Sequence, residues 1–481
     1  MWIREAHVRV TLRQGASAPT PSPAGEGAQV LSLRERGLRG EAFLSRIGLL
    51  VVALLICLPP LQAQTPAPLL TLPSANAVAS VGRAYALLPS GEVAVVNPSA
   101  FSVGVVNLRT RALSREIPLS FAPQRLLLMP ERARIAVLSE GAPRLAVIDV
   151  ATLTVAREIE LDVPLLAGAS AQGMAALSPS RVVVGLPDRL IEVDLLTGET
   201  VLAARLPSGG VLLAAWGSYR YRISERGEFE VIGVGGVRVT APLPTGDRVH
   251  RVGVPALDAR SGLLYVPLTL RAEGDPDLLP FDAQFSAVLA VIDLARPGVR
   301  DWIRLDVADG VWHLPSAALL NADRTRLLLV YAASSRLSVL DVRGGRRIIT
   351  TTVGAHPIDV GFSADGQFAF TLNRVDGTLT LLDGRLFGAP ESIPTTERTP
   401  QPVVSVGERW FYTAADPRIA WNHAMSCATC HAPRGVLTTY AARSDDELSA
   451  FLTAHIVNAQ GGSGLNDVDL AALVAFLRSL P

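Results

Sequence analysis

One pattern recurs along the middle of the chain and leaves little choice of architecture. A β-branched run ends in Asp or Asn and is followed at once by a turn. It occurs as VVNLRTRA at Asn107, VIDVATLT at Asp149, EVDLLTGE at Asp194, VIDLARPG at Asp293, VLDVRGGR at Asp341 and LLDGRLFG at Asp383. The intervals are 42, 45, 99, 48 and 42 residues. The long interval holds one further, degenerate copy in EFEVIGVGGVRVTAPL near Val234, which makes seven repeats. A repeat of roughly 40–50 residues built of short alternating strands is the mark of a β-propeller with four strands per blade. One such sheet cannot cover both its faces alone, so neighbours stack radially and close a ring. The expectation is a mainly β chain with a seven-bladed propeller over residues 75–386. A doubly wound fold would need helical periods between the strands, and none is present. The Trp-Asp dipeptide of another propeller class is absent.

The last repeat, Gly354 to Asp383, is the clearest. Gly354-Ala355-His356-Pro357 precedes the hairpin turn Ser363-Ala364-Asp365-Gly366, and the strand Leu381-Leu382-Asp383 follows. This copy resembles the YVTN-type propeller repeat, whose pattern runs G-x-x-P, S-P-D-G and V-I-D. Degenerate forms of the turn stand at Met129-Pro130-Glu131-Arg132 and Asn321-Ala322-Asp323-Arg324. One connection is unusual. Between LLYVPLTL (263–270) and the strand starting at Phe285 lie 14 residues, Arg271 to Gln284, with an acidic stretch. Loops of that length in compact domains tend to be functional or disordered; a docking loop beside the C-terminal region is the favoured reading, and a solvated acidic loop is the other. His250, His313 and His356 share no ligand spacing and read as structural or surface groups. Gly233-Val234-Gly235-Gly236 lacks the strand-to-helix context of a nucleotide loop.

Residues 387–409, with Pro390, Pro394, Pro400 and Pro402, read as an extended Pro-rich linker. Beyond it, residues 410–481 contain Cys427-Ala428-Thr429-Cys430-His431. A C-x-x-C-H run is the attachment signature of a c-type haem. Two thiols one helical turn apart can each add to a vinyl group, and the adjoining imidazole can reach the iron. Half of a zinc site is the other meaning, but zinc takes four ligands and few partners remain. The expected cofactor is therefore one covalent haem c, held by Cys427 and Cys430, with His431 as proximal iron ligand. The third cysteine, Cys57, lies in the leader, so no thiol is left for a structural disulfide.

Helical signals surround the motif. Asp416-Pro417 can open a short helix carrying Trp421 and the cysteines. Ser444-Asp445-Asp446-Glu447 is a capping box, after which Leu448, Leu452, His455 and Ala459 share one face. After the turn Gly461-Gly462-Ser463-Gly464, Asn466 or Asp467 caps a last helix with the stripe Leu470, Leu473, Val474 and Leu477. Three helices around one haem resemble the small all-α class I cytochrome c fold. The run FYTAADPRIAWNHAMSCATCH is similar to the first haem segment of the di-haem cytochrome c peroxidase and MauG group. That group carries two haem motifs, and this chain has one. Class I cytochromes use a methionine after the motif as sixth ligand, yet no Met follows His431. Met425 is only two residues before Cys427, too close to cross to the distal face. His455, 24 residues after His431, is the leading distal candidate, His423 is a weaker one, and an open position is the remaining choice.

Arg39 and Arg46 precede the apolar run Ile47–Cys57, whose 11 residues fall short of the roughly 20 that a membrane span needs. With Leu61-Gln62-Ala63 behind it, residues 1–63 read as a leader and signal peptide cleaved after Ala63. Residues 1–38 are atypical of such leaders, which suggests initiation nearer the apolar run. Lys+Arg and Asp+Glu both total 44, which removes any charge argument for nucleic acid. The sequence thus implies a periplasmic electron-transfer cytochrome with a propeller for docking, and no stable membrane span after signal cleavage. Its partner would be a redox protein or a small-molecule electron donor or acceptor. The alternatives are a peroxidase- or oxidase-like enzyme with an open haem and a propeller dehydrogenase feeding its own haem. N-terminal sequencing of the exported protein is expected to begin at Gln64, and an intact segment 47–63 would refute cleavage.

Overall fold

The computed structural model describes Pro73 and residues 79–480, apart from 130, 132, 142, 162–172, 207, 234–237, 274–283, 310–311, 399–400, 415, 421–424, 432–442 and 459. The leader, with Ile47–Cys57, lies outside the described residues. Among the described residues no helix is long and apolar enough to cross a membrane.

Seven antiparallel sheets of four or five strands follow one another along the chain, giving a seven-bladed β-propeller. Their strands span residues 85–118, 123–160, 174–205, 210–242, 248–304, 315–352 and 357–394. The degenerate fourth copy forms the strands Glu228–Ile232 and Arg238–Pro242, and Val234 lies outside the described residues. The repeated Asp or Asn has a common task. Asn107 accepts hydrogen bonds from the backbone N–H groups of Arg109 and Thr110, and Asp149 from those of Ala151 and Thr152. Asp194, Asp293 and Asp383 repeat the arrangement with their own following residues. The side chain thereby folds the turn from the third strand to the fourth. Blade interiors are continuous apolar runs such as Val93, Ala94, Val95 and Val96, all buried, because each sheet is covered on both faces.

Seven sheets in sequence do not by themselves close a ring. The last blade consists of consecutive strands, Pro357–Phe362, Phe368–Asn373, Thr378–Asp383 and Glu391–Pro394. Among the described residues no strand of the first blade joins it. Side chains make the seam instead. Thr395 donates to Asn97 at 2.6 Å, and the Asn97 amide donates back to the Thr395 carbonyl at 2.7 Å.

The second closure is at the hub. The segment 79–84 pairs with Ala215 and Trp216, bonds Met174 and Ala176, and reaches Leu126. Its Arg83 donates to Asp359 at 2.8 Å, to the Ala318 carbonyl at 2.9 Å and to the Pro255 carbonyl at 3.4 Å. The Ala84 N–H donates to the other Asp359 oxygen at 2.7 Å. One short segment therefore touches the second to the seventh blade.

The segment read as a linker is more ordered than its prolines suggest. Glu391–Pro394 is the outer strand of the last blade, and a helix starts at Pro402. Both fit proline chemistry, since a sheet edge and the first helical position each tolerate a missing N–H. Five helices occur among the described residues: α1, Leu305–Ala308; α2, Pro402–Tyr412; α3, Cys427–Cys430; α4, Asp445–Asn458; and α5, Asp467–Ser479. The last four form a small C-terminal unit. Crossing α2 and α5 brings Gly407 so close to Ala472 that a Cβ there would stand 1.9 Å from its carbonyl oxygen.

Removing one partner of the hub pair would strand a buried charge. Asp359→Ala is expected to lower stability by about 3–5 kcal/mol. Glu160→Ala, which breaks the exposed pair with Arg144, should cost under about 1 kcal/mol. Chemical denaturation of both variants checks this, and equal effects would refute the hub's role.

Candidate functional site

The C-terminal unit sits over one mouth of the propeller, mainly on loops joining second to third strands. Ala414 N–H donates to the Ala333 carbonyl at 2.9 Å, and Leu314, Ala332 and Ala333 share one apolar cluster with Trp410, Phe411 and Cys427. Arg374 grips Glu140 with two hydrogen bonds, 2.6 and 3.0 Å, and its guanidinium lies 4.8 Å over the Tyr412 ring. Glu408 accepts from Ser99 at 2.6 Å. The loop 271–284 likewise joins the second and third strands of its sheet. Residues 274–283 are outside the described residues, but its flank Phe285 packs with Met425 and Cys430.

The motif forms α3. Ser426 and Thr429 exchange side-chain hydrogen bonds with each other's backbone at its start. This puts Cys427 and Cys430 on adjacent turns, Cys427 buried and Cys430 half-buried. Burial pushes the Cys427 thiol up and that of Cys430 to about 12. Gln460 contacts the Cys427 sulfur at 3.7 Å. The His431 ring lies 6.3 Å, centroid to centroid, from His455 of α4, with an interplanar angle of 60°. His455 in turn stacks on Phe451 at 5.8 Å.

The capping box is present, with Ser444 N–H donating to Glu447 at 2.9 Å. On α4 the buried residues are Leu448, Leu452 and Ile456, and His455 stands beside this stripe, half-buried. Asn466 caps α5 by accepting from Asp469 N–H at 2.8 Å. Met425 is buried against Phe285 rather than aimed at His431. His423, Trp421 and Ala459 lie outside the described residues. Among the described residues no three His, Cys, Asp or Glu side chains converge as a metal cluster, so the zinc alternative finds no third ligand there.

Two propeller histidines meet this unit, which their spacing did not suggest. His250 donates from Nε2 to the Thr429 carbonyl at 2.9 Å, and His356 from Nδ1 to that of Tyr412 at 3.1 Å. Burial draws His250 down to about 4 and His356 to about 3, so both are neutral. His313 is buried elsewhere in the wall, its N–H donating to Ser334. Sequence reasoning also missed Arg125 and Arg251 on inner strands, Arg374 in a turn and Tyr412 at the end of α2, because nothing local marks such residues as facing the channel.

A cavity of about 220 Å³ lies between the two parts, lined by Arg125, Arg251, His356, Tyr412, Ala428 and His431 among others. A second, of about 250 Å³, continues down the channel and shares Gln124, Arg125 and Arg251 with it. Fold and site together define a seven-bladed propeller whose channel opens onto a C-x-x-C-H segment. No family model and no curated protein matches the chain. Among solved structures it is similar to the hydrazine synthase of Kuenenia stuttgartiensis, at a TM-score of 0.54 and 15% identity over 63% of this chain and 95% of that one. A likeness at that identity carries the fold.

His356 gives a pH dependence. Unfolded, it takes a proton near pH 6.5; folded, it resists one until about pH 3. Between those values the unfolded chain binds more protons, so stability falls as pH falls. Arg374 and Arg251 face the ring and add to the shift. His356→Asn should reduce the slope of stability against pH below 6.5 by up to about 1.4 kcal/mol per unit. An unchanged slope in pH-resolved denaturation would refute it.

Proposed function

We propose that the protein is an exported c-type cytochrome, with one haem joined to Cys427 and Cys430 and with His431 as its proximal ligand. The observation that carries this reading is the α3 motif placed opposite His455. The two rings stand 6.3 Å apart, centroid to centroid, so that both would be at hand to hold the iron. The donor set fits as well: the run offers two thiols for thioether bonds and one imidazole for the iron. The haem supplies one-electron exchange between ferric and ferrous iron. Paired imidazoles in place of His and Met keep its potential low. The residues of the chain do the rest. Leu448, Leu452 and Ile456 exclude water, Phe451 orients the His455 ring, and His250 fixes the Thr429 carbonyl of α3.

In this reading the propeller is the platform on which the redox segment is held, outside the cytoplasm. A second reading is favoured by the cavity that reaches His431: a small molecule in the channel could exchange electrons with the haem, making the propeller a substrate platform. The similarity to a hydrazine synthase is compatible with small-molecule redox chemistry, without naming a substrate.

Haem covalently retained after denaturation, and lost in Cys427→Ser/Cys430→Ser, is the first expected result. Ferric EPR of the purified protein should then show a low-spin signal. His455→Ala should convert it to high-spin iron that binds cyanide or azide rapidly. A low-spin signal untouched by His455→Ala would remove His455 as ligand, and absence of covalent haem would overturn the cytochrome reading.

A further inference from the structure

Most buried arginines of this propeller have found a carboxylate. Arg222, 1% exposed, donates to Glu230 at 2.6 Å. Arg83 is paired with Asp359, and Arg374 with Glu140. Two others that line the channel have not. Among the described residues Arg125 makes one long hydrogen bond, 3.5 Å to the carbonyl of its own neighbour Gln124, and no ion pair. Arg251 makes neither a hydrogen bond nor an ion pair among the described residues. Both line each of the two cavities, at the junction between them.

The contrast extends to their electrostatics. Burial lowers Arg125 and Arg251 from the usual guanidinium range. In Arg83 and Arg374 burial acts the same way, but Asp359 and Glu140 outweigh it and raise them. The carboxylates that Arg125 senses, Asp359 and Glu140, are already engaged. Glu225 lines the channel cavity but is exposed and pairs with neither arginine. A guanidinium keeps its proton, so an anion is the cavity ligand that would offset its partial desolvation best.

We propose that Arg125 and Arg251 form a binding site for a small planar oxyanion, a carboxylate or a nitrate-like ion, in the channel beneath the C-terminal unit. Guanidinium groups meet such anions through paired N–H donors. The two lobes that meet at the arginines, about 220 and 250 Å³, leave room for such an anion together with its water. Two sources share this chemistry: a free anion, or a propionate of a haem held at α3. The site itself consists of propeller residues and does not depend on the cytochrome reading.

The test is calorimetric titration of the full-length purified protein with sodium formate and with sodium nitrate, against sodium chloride at constant ionic strength. Covalent haem is measured on the same sample. Saturable oxyanion binding is expected, weakened about tenfold or more in Arg125→Gln and in Arg251→Gln. Arg125→Lys and Arg251→Lys keep the charge and serve as folding controls. If the source is a propionate, the haem-loaded protein binds neither anion, and both Gln variants shift its reduction potential while the Lys variants shift it less. Absence of oxyanion binding in a protein lacking haem overturns the proposal. So does a loaded protein that binds no anion and whose Gln variants keep the wild-type potential.

Discussion

The contact on which the rest of this structure depends is the pairing of Arg83 with Asp359 at the propeller hub. Asp359 has no exposed side-chain surface, and a buried charge is tolerated only when its partner and remaining lone pairs are satisfied. Here one oxygen receives the guanidinium and the other the Ala84 N–H. The same guanidinium reaches carbonyls of the fifth and sixth blades. A ring built from consecutive strands has no interlocking sheet at its seam, so the chain entering the hub supplies a fastening that the blades lack.

From the hub outward, inner-strand irregularities decide what faces the channel. The pairing register shifts after Pro123, Pro315 and Pro357, so that Arg125, Ala317 and Asp359 occupy equivalent places. Extra residues of this kind re-aim side chains locally. One repeat position thus carries a cation, a methyl group and an anion around one axis. Only the anion is matched within the protein by an arginine held close against it. The mouth above is covered by helices whose own packing, through Gly407 and Ala472, fixes α2 as part of the C-terminal unit rather than a tether to it.

The blade count and the mainly β class were legible because each repeat states its own turn: Asx residues at Asn107, Asp149, Asp194, Asp293, Asp341 and Asp383 sit at fixed offsets from apolar runs. Helix boundaries at Ser444 and Asn466 were legible for the same reason, since capping is local chemistry. The segment 387–409 was misjudged as an extended connector. Proline count alone cannot separate a linker from a sheet edge followed by a helix start. Channel chemistry was not legible at all. Arg83 and Asp359 are 276 residues apart, a separation no local pattern spans, and the channel-facing His250, Arg251 and Tyr412 carry no local mark.

The segment 79–84 has one more effect. Val81 lines a pocket of about 250 Å³ together with Ala79, Leu257 and Leu320, while its neighbour Gly82 lines the channel cavity that holds Arg125 and Arg251. The chain that fastens the ring is thus also a wall of two cavities. A substitution made in it to reshape one would disturb the other, and the fastening with them.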